Sequence, residues 1–204
     1  MRARAIWLPL AVGLAAGAEP EPVFAPIVIY TGYQHQPPSP ISDAIRGEVE
    51  GILGRAGIEF NWRSLVGREP RQQSADLAVV QLKGRCDIAG ILPHQVQPGA
   101  LGWTYVSEGS VLPFGDVDCD RVRAFVQAGL LGVPARLREQ AFGRAVGRVL
   151  AHELYHILTR SLHHGAKGVG KAEYSVRDLL GDSFVFDDAE CAELRANQSR
   201  LLSP

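Results

Sequence analysis

The run His152-Glu153-Leu154-Tyr155-His156 sets two imidazoles four residues apart with a carboxylate between them. On an α-helix that spacing is one turn, so both rings share a face and reach one metal ion. At 3.6 residues per turn, Glu153 lies about 100° round from His152. Its carboxylate can therefore meet a metal-activated water without being a ligand. The chemistry implied is zinc-dependent hydrolysis, with Glu153 as general base and then as proton donor to a leaving amine. Peptide bonds fit that chemistry best, and other amides also fit it.

The residues before the motif predict the helix that would carry it. Ala141, Ala145, Val149, His152 and His156 form one stripe at helical offsets. Phe142, Val146, Leu150, Leu154 and Ile157 or Leu158 form a second, which can pack into a core beside it. Pro134 suits the first turn, and nothing breaks the pattern before Thr159. Tyr155 fills a variable slot of the motif and reads as a packing residue.

A catalytic zinc site takes three protein ligands and keeps a fourth position for water. The chain continues Ile157-Leu158-Thr159-Arg160-Ser161-Leu162-His163-His164-Gly165. With this segment it resembles the metzincins, and more loosely the archaemetzincins, of the zincin superfamily. Their pattern is H-E-x-x-H-x-x-G-x-x-H, followed by a methionine turn. Here Thr159 stands in the glycine position, Leu162 in that of the third histidine, and Met1 is the only methionine. By analogy with three-histidine sites, His163 or His164 supplies the third ligand. His164 is favoured because Gly165 eases a sharp turn after it. A gluzincin-like arrangement would use Glu173 or Asp178 instead.

Residues 165–175 hold three glycines and two lysines and read as a return loop beneath the metal. Lys171 and Tyr174 are the candidates there to donate to a developing oxyanion, with ordinary loop roles as the alternative.

Residues 1–18 read as a secretory leader: Arg2 and Arg4, an apolar run, then Ala16-Gly17-Ala18 as the cleavage signal. Residues 19–204 then form one domain, secreted or periplasmic, with no membrane association after leader removal. Without the two leader arginines, 19 basic residues face 22 acidic ones, a net charge of −3. That balance offers no footprint for nucleic acid or anionic lipid. Cys86 and Cys119 are expected to pair in an oxidising compartment, leaving Cys191 free.

The remaining pattern predicts strands at 23–30, 58–62 and 75–83, and a hairpin of 101–106 with 110–114. A helix from Ser42 is closed by Gly57, and a second is capped by Asp118 or Asp120 and runs through Val122, Phe125 and Val126. Two more helices follow at 176–180 and 187–202. The fold class is α+β: a small twisted mixed sheet packed on the motif helix, with C-terminal helices, as the zincin resemblance implies. In that family the sheet's edge strand binds substrate backbone, and the hairpin is the candidate edge here. Trp103 and Tyr105 on it either line a side-chain pocket or serve the core. His35 and His94 read as surface histidines.

The sequence thus predicts an exported metallopeptidase, active as a monomer on peptide or protein substrates with one zinc per chain. The candidate site residues are His152, His156 and either His164 or His163 for the metal, and Glu153 and Tyr174 for catalysis. Two alternatives are a silent zincin-fold protein that binds metal or peptide, and a zinc amidase acting on non-peptide amides.

Overall fold

An unbroken apolar run, Ile27-Val28-Ile29-Tyr30, makes the first strand a central one, because only a strand covered on both faces tolerates such a run. The computed structural model describes residues 26–66, 77–89 and 99–201, with side chains through Gln198. The expected leader at 1–18, the expected strand residues 23–25 and 75–76, His94 and the expected helix end at 202 lie outside the described residues. In chain order the elements are β1 (Ile27–His35), α1 (Ser39–Leu53), β2 (Phe60–Ser64), β3 (Leu77–Arg85), β4 (Gly102–Ser107) and β5 (Ser110–Asp118). They are followed by α2 (Cys119–Leu131), α3 (Arg138–Thr159), α4 (Val176–Leu180) and α5 (Asp188–Leu201).

The sheet has five strands in the order β2-β1-β3-β5-β4. The first three pairings are parallel, and β4 runs antiparallel to β5 at the edge. This is the mixed sheet of the α+β expectation, and β4 is its edge as predicted. Ser107 pairs with Ser110 across Glu108 (φ 50°) and Gly109 (φ 77°). Two positive φ values in a two-residue loop match the right-handed twist of the flanking strands. β5 runs four residues past its expected end, to Asp118, whose side chain then caps α2 by accepting from the Arg121 N–H.

In α1, Ile41, Ile45, Val49, Ile52 and Leu53 are buried at helical spacing. A 3₁₀ turn follows, and Gly57 (φ 78°) closes that turn rather than the α-helix itself. Cys86 at the end of β3 is bonded to Cys119 at the start of α2, as expected, and Cys191 is free and buried.

The motif helix departs from expectation at its start. Pro134 leads into a 3₁₀ turn at Ala135–Leu137, and α3 proper begins at Arg138. Its burial also exceeds two stripes, since every residue from 145 to 157 is buried. The sheet covers one side, and α1, α2, α4 and α5 cover the others. Close approach of α1 requires glycine: a Cβ on Gly143 would lie 2.6 Å from the Ala44 Cβ and 2.7 Å from the Ile41 carbonyl oxygen. Gly147 meets Glu48 and Ile45 in the same way. Gly143→Ala is therefore expected to lower stability by about 1–3 kcal/mol through overpacking, despite alanine's better helix propensity. Urea unfolding checks this, and a raised midpoint would contradict it. Among the described residues, no helix is long and apolar enough to cross a membrane.

Candidate metal centre

His152 and His156 stand one turn apart on α3, with their Nε2 atoms 3.0 Å from each other. The His152 Nδ1 lies 2.8 Å from the Val169 carbonyl oxygen, and the His156 Nδ1 lies 2.7 Å from that of Ser161. A carbonyl oxygen only accepts, so both Nδ1 atoms carry the proton and both Nε2 atoms present lone pairs. A hydrogen bond between the two Nε2 atoms would need a third proton and hence an imidazolium. Burial opposes that, lowering the pKa of both rings and bringing His152 to about 4. Two lone-pair nitrogens this close, on rings each fixed by a carbonyl, form a pair that a shared cation would satisfy.

The chain after α3 supplies the second half of the arrangement. Arg160 adopts the left-handed conformation (φ 53°) and ends the helix, taking the turning role glycine has in the metzincin pattern. The next residue, Ser161, gives its carbonyl to His156. The helix stop therefore also orients a ring.

His164 then returns to the pair, its ring centroid 5.2 Å from that of His152 and 4.8 Å from that of His156. One ligand atom from each of His152, His156 and His164 lies within 4.8 Å of the others, a group able to hold a metal ion. His163 is exposed and outside that group. Of the acidic alternatives, Glu173 is exposed at the cavity rim, and Asp178 accepts from Lys171 at 2.6 Å and from Ser175 at 2.7 Å. Burial acts to raise the Asp178 pKa, but the Lys171 and Ser175 donors outweigh it and hold the carboxyl down at about 2. Neither acidic residue joins the group.

Glu153 is buried beside the triad. The Thr104 hydroxyl donates to its Oε2 at 2.8 Å. Burial raises its pKa to about 7, against the lowering effect of that hydrogen bond and with a smaller contribution from the Asp116 charge. Gly102 leaves room for the other oxygen, since a Cβ there would come 2.9 Å from Oε1. Both glutamate and triad open on a cavity of about 470 Å³ whose walls include Leu101, Trp103, Phe125, Val149 and Tyr174.

The flanking candidates fare differently. Trp103 lines the cavity, whereas the Tyr105 hydroxyl donates to Asp116 at 2.6 Å, as a structural residue would. Tyr174 reaches the cavity with its ring 5.6 Å from that of His152, and its hydroxyl donates to the Val169 carbonyl. Burial pushes its pKa well above the ordinary tyrosine value, so the phenol keeps its proton. Lys171 does not reach the cavity: its ammonium is held by Asp178, so the expected oxyanion role lacks the needed placement. Gly168 (φ 59°), not Gly165, takes the left-handed backbone of the loop, so Gly165 is not the sharp turn expected of it. Tyr155 packs as expected, buried and donating to Glu193 at 2.6 Å. His35 is exposed, with Nδ1 3.2 Å from the Gly84 carbonyl oxygen.

Sequence reasoning missed Thr104, the Val169 carbonyl and Arg148. Thr104 and Val169 carry no local signal, because each acts across the fold. Arg148 does carry one: it is a charge in an otherwise apolar stretch, one turn before His152. It is buried, with Nε 2.6 Å from Glu48 Oε1 of α1 and a terminal nitrogen 2.6 Å from the Asp178 carbonyl oxygen of α4.

No protein-family model matches the sequence, and no curated protein matches it at a significant level. Solved structures are similar in architecture. Archaemetzincin from Methanopyrus kandleri superposes with a TM-score of 0.53 at 16% identity, covering 86% of this chain and 97% of that one. A zinc-dependent peptidase from Methanocorpusculum labreanum (strain Z) also has a TM-score of 0.53, at 11% identity over 81% of this chain and 99% of its own. The chain therefore shares the zincin-like α+β fold of archaemetzincin.

Proposed function

We propose that this chain is an exported zinc-dependent metallopeptidase in which His152, His156 and His164 hold one zinc ion and Glu153 is the general base. The observation that carries the reading is the grouping of ligand atoms from His152, His156 and His164 within 4.8 Å of one another, next to a buried carboxylate that opens on a cavity. A neutral three-imidazole set suits zinc. Zinc bound there would supply Lewis acidity, polarising a substrate carbonyl and acidifying water.

The protein's own groups do the rest. Thr104 occupies Oε2 of Glu153, so Oε1 is the atom left to take a proton and return it to the leaving amine. A carboxyl whose pKa sits near neutrality can do both at neutral pH. Among the described residues β4 pairs with β5 alone, so its outer edge offers backbone donors and acceptors on which an extended peptide can align, beside Trp103. A peptide substrate accords with the peptidase named for the similar fold. The leader-like pattern of residues 1–18 and the Cys86–Cys119 bond support a secreted or periplasmic location.

Zinc-loaded protein incubated with a mixture of unstructured peptides tests this by mass spectrometry of the products. Cleavage is expected, abolished by a chelator and restored by zinc. An intact peptide mixture over a protein that holds its zinc would refute the peptidase reading.

A further inference from the structure

Glu190 spends one carboxylate oxygen on an ordinary task. Its Oε2 accepts from the Asp187 N–H at 2.9 Å, while the Asp187 side chain accepts from the Glu190 N–H at 2.9 Å. This reciprocal pair caps α5. The other oxygen, Oε1, is buried without a hydrogen-bond partner among the described residues, in a side chain only 5% exposed. An orphaned buried carboxylate oxygen is costly, so its position needs a reason beyond the cap.

The reason lies in two glycines. A Cβ on Gly165 would fall 2.2 Å from Oε1, and one on Gly170 would fall 1.9 Å from it. The three nearest atoms at each position all belong to Glu190. Neither glycine has a positive φ, so neither is required by backbone conformation. Gly165 and Gly170 are the two ends of the loop closure, joined by a 2.8 Å hydrogen bond from the Gly165 N–H to the Gly170 carbonyl. The carboxylate is wedged against both. Gly165 follows His164 directly, and Val169, which fixes the His152 ring, precedes Gly170.

The helix bearing Glu190 is itself tied to the motif helix. One turn on, Glu193 accepts from the Tyr155 hydroxyl at 2.6 Å. α5 thus holds α3 at one point and the return loop at another, setting the gap that His164 must cross.

We propose that Glu190 is a positioning residue for the metal centre, its carboxylate wedged between Gly165 and Gly170 so that the loop presents His164 to His152 and His156. The proposal rests on the reading of that triad as a zinc site.

The test is zinc affinity by competition with a chromophoric chelator, with cobalt(II) spectra and urea midpoints of the metal-free forms alongside. Glu190→Ala and Gly170→Ala should each weaken zinc binding by about 10- to 100-fold, the usual range for residues that orient ligands. Glu190→Gln, which keeps shape and cap, should stay within about threefold of wild type on the same scale. The double variant Glu190→Ala/Gly170→Ala should bind more tightly than Gly170→Ala alone, because the new methyl then enters vacated space. Asp187→Ala removes the other half of the cap and should lower the urea midpoint while leaving zinc affinity and the cobalt spectrum unchanged.

The proposal is overturned if Glu190→Ala and Asp187→Ala alter zinc affinity alike, if neither alters it, or if the losses in the double variant multiply. Should Glu190→Ala not fold, Gly170→Ala against Glu190→Gln and Asp187→Ala carries the same contrast. Equal zinc binding by wild type and His152→Ala would instead overturn the triad reading itself.

Discussion

Glu153→Gln is expected to lower kcat/KM for peptide cleavage by about 10²- to 10⁴-fold, the range lost with a positioned general base. Zinc content should be unchanged. Glutamine keeps the shape of the side chain and can still accept from Thr104, so the pocket between α3 and β4 stays filled. What it loses is the capacity to take a proton at the position of Oε1. Glu153 is not a member of the ligand group, so metal retention and activity should separate cleanly. Steady-state kinetics with elemental analysis of the same preparation checks both. Activity within about tenfold of wild type would remove Glu153 from the role of base.

Arg148→Ala carries the largest expected effect on stability, a loss of about 3–5 kcal/mol, as when one partner of a buried ion pair is removed. The guanidinium is 1% exposed and joins α1 through Glu48 to α4 through the Asp178 carbonyl. Its removal leaves the largely buried Glu48 carboxylate without its cation and opens a void within the most buried helix of the fold. The paired replacement Arg148→Met/Glu48→Leu should recover most of the loss, because it removes the stranded charge as well. Urea unfolding measures both variants. A loss below about 1 kcal/mol for Arg148→Ala would mean that the pair behaves as an exposed one.

What was legible in the sequence was local. The H-E-x-x-H spacing, the cap at Asp118 or Asp120, the hairpin turn at 107–109 and the apolar spacing of α1 each follow from neighbours within a few residues. The structure places all of them close to where they were read. Pro134 was misread because a proline at a helix start looks the same before a 3₁₀ turn as before an α-helix. Gly165 was misread for a related reason. Sequence shows a glycine but not whether its backbone or its missing side chain is needed, and here Glu190, 25 positions on, decides the matter. Thr104, Arg148 and Glu190 act across the fold, through partners no local pattern can name. His164 was preferred over His163 on a turn argument that the loop does not use, yet His164 is the one that stands beside the pair.

The most direct measurement is the zinc content of the purified protein by elemental mass spectrometry, beside His163→Ala and His164→Ala. The account predicts about one zinc per chain in wild type and in His163→Ala, and its loss from His164→Ala, as a three-histidine site requires. A wild type that holds no zinc after loading and washing, or a His164→Ala variant that keeps it, would contradict the account.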